Sequence, residues 1–304
     1  NEVFVEKLYS HERYDVTGIN LDDQGELTSV FAGEVYVPII EPDQEALDAV
    51  EALEPAGDRF IFWSRDYSNN RQIIEFRGAN APGTFYLYDK AEGRAWEIGE
   101  RRKRNEDIEY GDKFDFVLQA RDGLELDAYV ALPAGLTPDT ADAIPFVIMP
   151  HGGPWARDFA SYDDLTQFIN SLGFGVLKVN FRGSDGYGAA FEEMGVGEWG
   201  GEMQADLNDA HNWAIQKGWA DPERMCMVGW SYGGYASLMA AIQDADKYRC
   251  VGSVAGVTDL FAIIRNTRNK EVLRRLGARN RYDTSAARDV SPIKRVDEIS
   301  VPVF

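Results

Sequence analysis

The sequence predicts an α/β protein: a doubly wound, mostly parallel sheet over residues 108–304, preceded by all-β structure over residues 1–107. Three observations predict it. From Phe146 onward, short apolar runs alternate with amphipathic helical stretches, the pattern of a parallel sheet with helices on both faces. Before residue 104 the apolar runs are short and divided by turn residues, with one helical interruption. Between the two, residues 99–110 carry charge and little apolar content, and read as a linker.

In the first part, Leu21-Asp22-Asp23-Gln24-Gly25-Glu26-Leu27 and Tyr88-Asp89-Lys90-Ala91-Glu92-Gly93-Arg94 are hairpin-like, with acidic residues and Gly at the turn. Residues 59–65 and 71–77 flank Asp66-Tyr67-Ser68-Asn69-Asn70 as a further pair. Regular hairpins at this spacing suit a sandwich or propeller blades. The helical insert, residues 44–53, places Ala46, Leu47, Val50 and Leu53 on one face.

In the second part, residues 114–120 and 124–132, joined by Arg121-Asp122-Gly123, form an alternating antiparallel hairpin that ends at Pro133. The strand Phe146-Val147-Ile148-Met149 follows, then a helix carrying Leu165, Phe168, Ile169 and Leu172 and closed by Gly173. Next come the strand Val176-Leu177-Lys178-Val179, a helix around 205–217 and the buried strand Arg224-Met225-Cys226-Met227-Val228. A strand at 251–255, a helix near 272–276 and the run Val301-Pro302-Val303-Phe304 complete the chain.

Directly after the strand at 224–228 stands Gly229-Trp230-Ser231-Tyr232-Gly233, and a helix of small residues, 235–241, follows it. G-x-S-x-G between a strand and a helix is the nucleophile elbow of an α/β-hydrolase, which holds a serine hydroxyl out at a strained backbone position. Ser231 is the candidate nucleophile. Gly229 and Gly233 allow the tight turn, and the Tyr232 N–H faces a developing oxyanion. Pro150-His151-Gly152-Gly153-Pro154-Trp155 follows the first parallel strand, where this fold carries its second oxyanion donor; Gly153, without a Cβ, can bring its N–H there. His151 and Gly152 support that loop.

The triad order in this fold is Ser, then Asp or Glu, then His. His151 precedes the elbow and reads as a residue that shapes the oxyanion loop through hydrogen bonds; His211 reads as packing or surface. No histidine follows Ser231. The acid and base of a triad are therefore expected outside these residues, with the second domain cut short before them. Asp259 reads as an ordinary loop aspartate.

Composition narrows the partners. A net charge of −20 argues against nucleic acid and anionic membranes, since phosphate binding needs a basic face. The one basic run, Arg101-Arg102-Lys103-Arg104, is followed at once by acidic residues and reads as solvated linker. Cys226 and Cys250 read as free buried thiols, with a disulfide as the second reading. No spacing of His, Cys or acids suggests a metal, and the chemistry requires no cofactor. No apolar run spans a bilayer. Asn1 is not an initiator Met and opens no signal-peptide profile; a cytoplasmic protein is expected, with export left open because any signal would precede Asn1.

Taken together, five spans resemble the prolyl oligopeptidase family of serine peptidases, in its acylaminoacyl-peptidase-like branch. They are His151-Gly152-Gly153-Pro154, Asn180-Phe181-Arg182-Gly183-Ser184-Asp185-Gly186-Tyr187-Gly188, Gly197-Glu198-Trp199-Gly200-Gly201, Asp221-Pro222-Glu223-Arg224 and Gly229 to Tyr235. Ser291-Pro292-Ile293 through Val303 is similar to the family's approach to its acid-bearing strand. The resemblance covers most of residues 114–304, and residues 1–104 resemble the last blades of the family's β-propeller. It implies a propeller that screens substrates by size above a hydrolase domain that cleaves short peptides by acyl transfer. Ser231 matches the nucleophile, and Gly153 and Tyr232 the oxyanion donors; Arg182 and Glu198 brace the loops around them. Homo-oligomerisation is left open.

Three functions fit: a serine peptidase of acylaminoacyl- or dipeptidyl-peptidase type, a carboxylesterase on the same fold, or a catalytically incomplete remnant serving as a binding module. The β-rich first part favours the peptidase, because a small esterase does not need it.

Overall fold

The computed structural model describes residues 6–22, 24–33, 35–40, 43–65, 70–103, 107–279, 284 and 287–304. It divides into two compact units, one of residues 1–108 with 160–163, the other of 109–159 with 164–304.

In the first unit, β1 (Val16–Leu21), β2 (Leu27–Ala32) and β3 (Val35–Pro38) form a three-stranded antiparallel sheet. The Asp22 carboxylate closes its first turn by accepting the Gln24 and Glu26 N–H groups; Asp23 lies outside the described residues. Helix α1 (Gln44–Glu51) follows, capped by the Asp43 side chain, which accepts the Ala46 N–H. Then β4 (Arg59–Arg65), β5 (Arg71–Arg77), β6 (Thr84–Asp89) and β7 (Arg94–Glu100) pair in sequence as a four-stranded antiparallel meander, the form of a propeller blade. The loop residues 66–69 lie outside the described residues. Ala46, Leu47 and Val50 seat α1 on Phe62, Ile74, Tyr86 and Tyr88. Leu53, expected on the same face, is exposed because α1 ends at Glu51.

The basic run departs from its reading as solvated linker. Arg101 donates from Nε and Nη2 to the fully buried Glu75 carboxylate and lies over the Phe85 ring. A buried carboxylate needs a counter-charge, and Arg101 supplies it. Arg104 lies outside the described residues.

The second unit is built on a six-stranded mixed sheet whose first two strands in sequence, β8 (Lys113–Gln119) and β9 (Glu125–Ala131), form a hairpin. There follow β10 (Ile144–Ile148), α2 (Asp164–Ser171), β11 (Gly175–Val179), α3 (Ala189–Glu193), α4 (Glu202–Gln216), β12 (Ala220–Trp230), α5 (Tyr232–Gln243), β13 (Cys250–Val254), α6 (Leu260–Asn266) and α7 (Lys270–Arg275). The strand order is β13-β12-β10-β11-β9-β8, parallel from β13 through β11 and antiparallel beyond. The expected α/β fold, with all-β structure before it, is present. Phe146, Ile148, Leu177 and Met225 pack one face against Leu207 and Ala210 of α4 and Tyr235 and Met239 of α5. No helix among the described residues is long and apolar enough to cross a membrane.

Two features differ from expectation. Helix α2 turns its polar side inward: Gln167 pairs with both the N–H and the C=O of Gly111, and Asn170 donates to the Ala131 and Phe174 carbonyls. Leu165, Phe168 and Leu172 are left exposed, with Ile169 alone packed on Val147, Met149 and Val176. The unpaired backbone around Gly111 needs partners, and that demand outweighs the apolar periodicity. The second difference concerns the cysteines. Cys226 and Cys250 form a disulfide and are half-buried. They are direct partners in the β12–β13 ladder, with Cα atoms 4.8 Å apart, inside the range a disulfide spans.

Candidate active site

The chain leaves β10 toward β11 on one side and leaves β12 toward β13 on the other, so the loops leaving β10 and β12 diverge at the carboxyl end of the sheet. That divergence is where open α/β sheets form their binding crevice. The two strands are neighbours, with Ile148 opposite Met227, which sets the His151–Trp155 loop beside the residue 229–233 turn.

At the end of β12 the chain turns into α5 through Ser231, whose φ of 55° and ψ of −113° are rare for a residue with a side chain. Such a conformation costs on the order of 1–3 kcal/mol and persists only where its surroundings enforce it. The Ser231 N–H donates to the Val254 carbonyl at 2.9 Å, and the Ser231 carbonyl accepts the Tyr235 N–H at 3.0 Å. Glycine makes the turn sterically possible: a Cβ on Gly229 would overlap the Gly233 backbone, and one on Gly233 would overlap the Pro150 carbonyl. Gly233 therefore serves both the turn and the approach of the neighbouring loop.

That loop lies against the serine. A Cβ on Gly152 would stand 3.2 Å from the Trp230 carbonyl oxygen and 3.5 Å from the Ser231 Cβ. Gly153 adopts φ 119°, where a Cβ would come within 2.7 Å of the Trp155 nitrogen. Tyr232 is the first residue of α5, so its N–H has no acceptor within the helix. Its ring is fully buried, edge-on to Trp199 at 4.7 Å and packed on Phe181 and Tyr235; burial pushes the phenol well above its ordinary pKa. The neutral, locked ring holds the start of α5. Trp230, beside it, is 62% exposed.

His151 is buried, stacked on Phe181 with ring centroids 4.3 Å apart. Its Nε2 lies 2.9 Å from Ser184 Oγ and its Nδ1 2.8 Å from the Gly152 carbonyl, and burial lowers its pKa below the usual histidine value. His211 is far along α4, where Nε2 faces the Lys247 carbonyl and the ring packs on Tyr248. The Asp259 carboxylate caps α6 by accepting the Ala262 N–H.

The loop after β11 braces this region. Arg182 donates from Nε, Nη2 and its backbone N–H to the fully buried Asp206 of α4, and Nη1 reaches Asp122 at 3.0 Å. Glu198 accepts the Glu202 N–H at the start of α4. A second cluster was not anticipated as such. Arg157, on the loop that follows Gly153, and Asn180 both donate to the Tyr187 hydroxyl, which donates to Asp127. Asn180 Oδ1 also takes the Asp158 N–H at 2.7 Å. The available signal was polar residues in a glycine-rich loop leaving a buried strand, which need partners once buried.

The comparisons agree with this layout. Residues 160–304 match the sequence model of the prolyl oligopeptidase family. The chain is 32% identical over 281 residues to dipeptidyl aminopeptidase BIII of Pseudoxanthomonas mexicana, covering 89% of this chain and 40% of that protein. It is 30% identical over 147 residues to the human acylamino-acid-releasing enzyme, covering 45% of this chain and 20% of that one. Among solved structures, a Mycobacterium tuberculosis puromycin-hydrolyzing peptidase superposes with a TM-score of 0.71 at 23% identity, over 95% of this chain and 44% of its own. The Pyrococcus horikoshii acylaminoacyl peptidase gives 0.70 at 19%, over 96% and 46%. The chain thus spans about 40% of the length of the first relatives it matches. Residues 160–304, which include the elbow, thus belong by sequence to the prolyl oligopeptidase family, and the solved neighbours share the fold.

Proposed function

We propose that this chain carries the nucleophile and oxyanion-binding part of a serine peptidase that hydrolyses short peptides by acyl transfer. The carrying observation is the strained Ser231 at the strand–helix turn, with Gly152 packed against it. In this reading Ser231 Oγ attacks the scissile carbonyl carbon, and the Gly153 and Tyr232 N–H groups hold the negative oxygen. Collapse of the tetrahedral intermediate breaks the C–N bond, and the amine leaves with the proton that the base took from Ser231. Water then hydrolyses the acyl-enzyme by the same steps in reverse. The acid and base come from sequence outside these residues, as do further propeller blades, with residues 1–107 and 108–304 as the two domains.

The disulfide between Cys226 and Cys250 supports an oxidising compartment over the expected cytoplasm. The relatives named as aminopeptidase and acylamino-acid-releasing enzymes support a peptide rather than an ester substrate. The test is the full-length protein on an aminoacyl-nitroanilide and on a p-nitrophenyl ester of the same acyl group. Nitroanilide turnover that Ser231→Ala abolishes supports the peptidase; ester turnover alone makes it an esterase.

A further inference from the structure

The span Gly197-Glu198-Trp199-Gly200-Gly201, between α3 and α4, belongs neither to the elbow nor to the loop at residues 151–155. Its glycines permit close approach to other elements. A Cβ on Gly277 would stand 2.7 Å from the Gly197 Cα, and one on Gly200 would stand 2.9 Å from the Tyr235 hydroxyl and 3.0 Å from Val290. Hydrogen bonds tie the same stretch down. The Gly197 N–H donates to the Arg275 carbonyl of α7, Gln243 at the end of α5 donates to the Gly200 carbonyl, and Gln204 donates to the Ala236 carbonyl of α5. The backbone around Trp199 is therefore held against α5 and α7.

Trp199 is buried, and its ring meets residues of both loops that carry the oxyanion donors. It stands edge-on to Tyr232, with centroids 4.7 Å apart and planes at 85°, and is tilted on Tyr235 at 4.9 Å. Its centroid is 6.5 Å from that of Trp155. All three separations lie where aromatic pairs attract. Trp155 is two residues beyond Gly153, across a turn so tight that a Cβ on Gly153 would come within 2.7 Å of the Trp155 nitrogen. Arg275, itself held by Glu271, lies over the Trp155 ring at 4.7 Å. Trp155 Nε1, Trp199 Nε1 and the Tyr232 hydroxyl are buried with no hydrogen-bond partner among the described residues. Buried donors are ordinarily paired, so ring contact rather than hydrogen bonding fixes these side chains. Trp199 also borders a cavity of about 70 Å³, lined by Leu260, Ile264 and Leu276, which leaves the indole room to move unless its aromatic neighbours hold it.

An oxyanion must lie about 2.7–3.1 Å from both of its donors, so the separation of two N–H groups on different loops has to be set closely. Gly152 against Trp230 and Ser231 provides one contact between those loops. We infer that Trp199 provides the second: it is a positioning residue that, through Trp155 and Tyr232, holds the Gly153 and Tyr232 N–H groups at the separation one oxyanion requires. The inference rests on the reading of those two groups as the oxyanion donors. It adds a third loop, between α3 and α4, to the machinery at the elbow.

Kinetics of the full-length protein on the aminoacyl-nitroanilide test it, each variant being assayed well below its own unfolding midpoint. Trp199→Met, which fills much of the volume without a ring, lowers kcat about tenfold with KM within about twofold, and Trp199→Phe, which keeps a ring edge for Tyr232, restores most of it. A trifluoromethyl ketone of the same acyl group becomes a tetrahedral oxyanion on the serine. Its affinity falls in Trp199→Met by the same factor as kcat/KM. An unchanged kcat in Trp199→Met overturns the inference, as does a KM rise at constant kcat, a loss that Trp199→Phe shares, or a ketone affinity that does not follow kcat/KM. Should Trp199→Met not fold, Trp155→Met removes the other end of the same contact and is read against the same outcomes. Failure of the peptidase reading is distinct: it appears as nitroanilide turnover unchanged in Ser231→Ala, or as turnover of the ester alone, and in the latter case the same comparisons made on the ester still test Trp199.

Discussion

Gly152 lies against the turn at Ser231: a Cβ added there would stand in ordinary contact with the Ser231 Cβ, at 3.5 Å, and tightly against the Trp230 carbonyl oxygen, at 3.2 Å. The contact joins the loop after β10 to the turn after β12, and Gly233 repeats it from the other side, with no room for a side chain beneath the Pro150 carbonyl. The two loops are therefore in direct contact.

Enlarging that contact separates the pieces. Gly233→Ala forces the Pro150–His151 backbone away from α5, with a stability loss of about 1–3 kcal/mol as expected for overpacking. Denaturant titration of the full-length protein measures it. Gly152→Ala meets the milder limits of 3.2 and 3.5 Å and is expected to lower kcat more than it lowers stability.

Arg182 and Asp206 hold the loop after β11 to α4 through three hydrogen bonds, and Asp206 is fully buried. Burial works to raise the Asp206 carboxyl, whereas the arginine bonds oppose it and push the guanidinium pKa up. Arg182→Met leaves a buried carboxylate without its partner. The expected cost is about 3–5 kcal/mol, read as a lower denaturation midpoint, with Arg182→Met/Asp206→Leu recovering part of it.

Stability depends on pH through the two buried histidines. Burial lowers the folded-state pKa of both His151 and His211, while the unfolded chain takes protons near the ordinary value of about 6.5. Below that value the unfolded state binds more protons, so stability is present above it and is lost as pH falls. Denaturation midpoints are expected to drop between about pH 7 and pH 5. His211→Gln, away from the elbow, is expected to flatten that slope.

The disulfide closes 24 positions of chain around the elbow. A loop of that length corresponds to about 3 kcal/mol in the chain-entropy account. Comparing unfolding with and without reductant, and in Cys226→Ser/Cys250→Ser, is expected to show a loss of that order.

Much of this was legible in the residues. The alternation after Phe146 and the hairpins before residue 104 carry the fold, and Gly229 to Gly233 and His151 to Trp155 lie where strand-end motifs of this kind were expected. What sequence could not carry was register and partnership. Nothing in the spacing of Cys226 and Cys250 says that they face each other across two strands, because that depends on the β12–β13 offset. The apolar positions of α2 follow helical periodicity, yet Gln167 and Asn170 turn inward because backbone groups at Gly111 and Ala131 need partners. Arg157 and Ser184 gain their meaning only when the loops after β10 and β11 come together.

The central claim is that Ser231 is an activated nucleophile. Treating the full-length protein with a fluorophosphonate probe and mapping the adduct by mass spectrometry tests it most directly. The account predicts one stoichiometric phosphonyl adduct on Ser231, absent in Ser231→Ala. A folded full-length protein that takes no label at Ser231, or takes it at another serine, would contradict it.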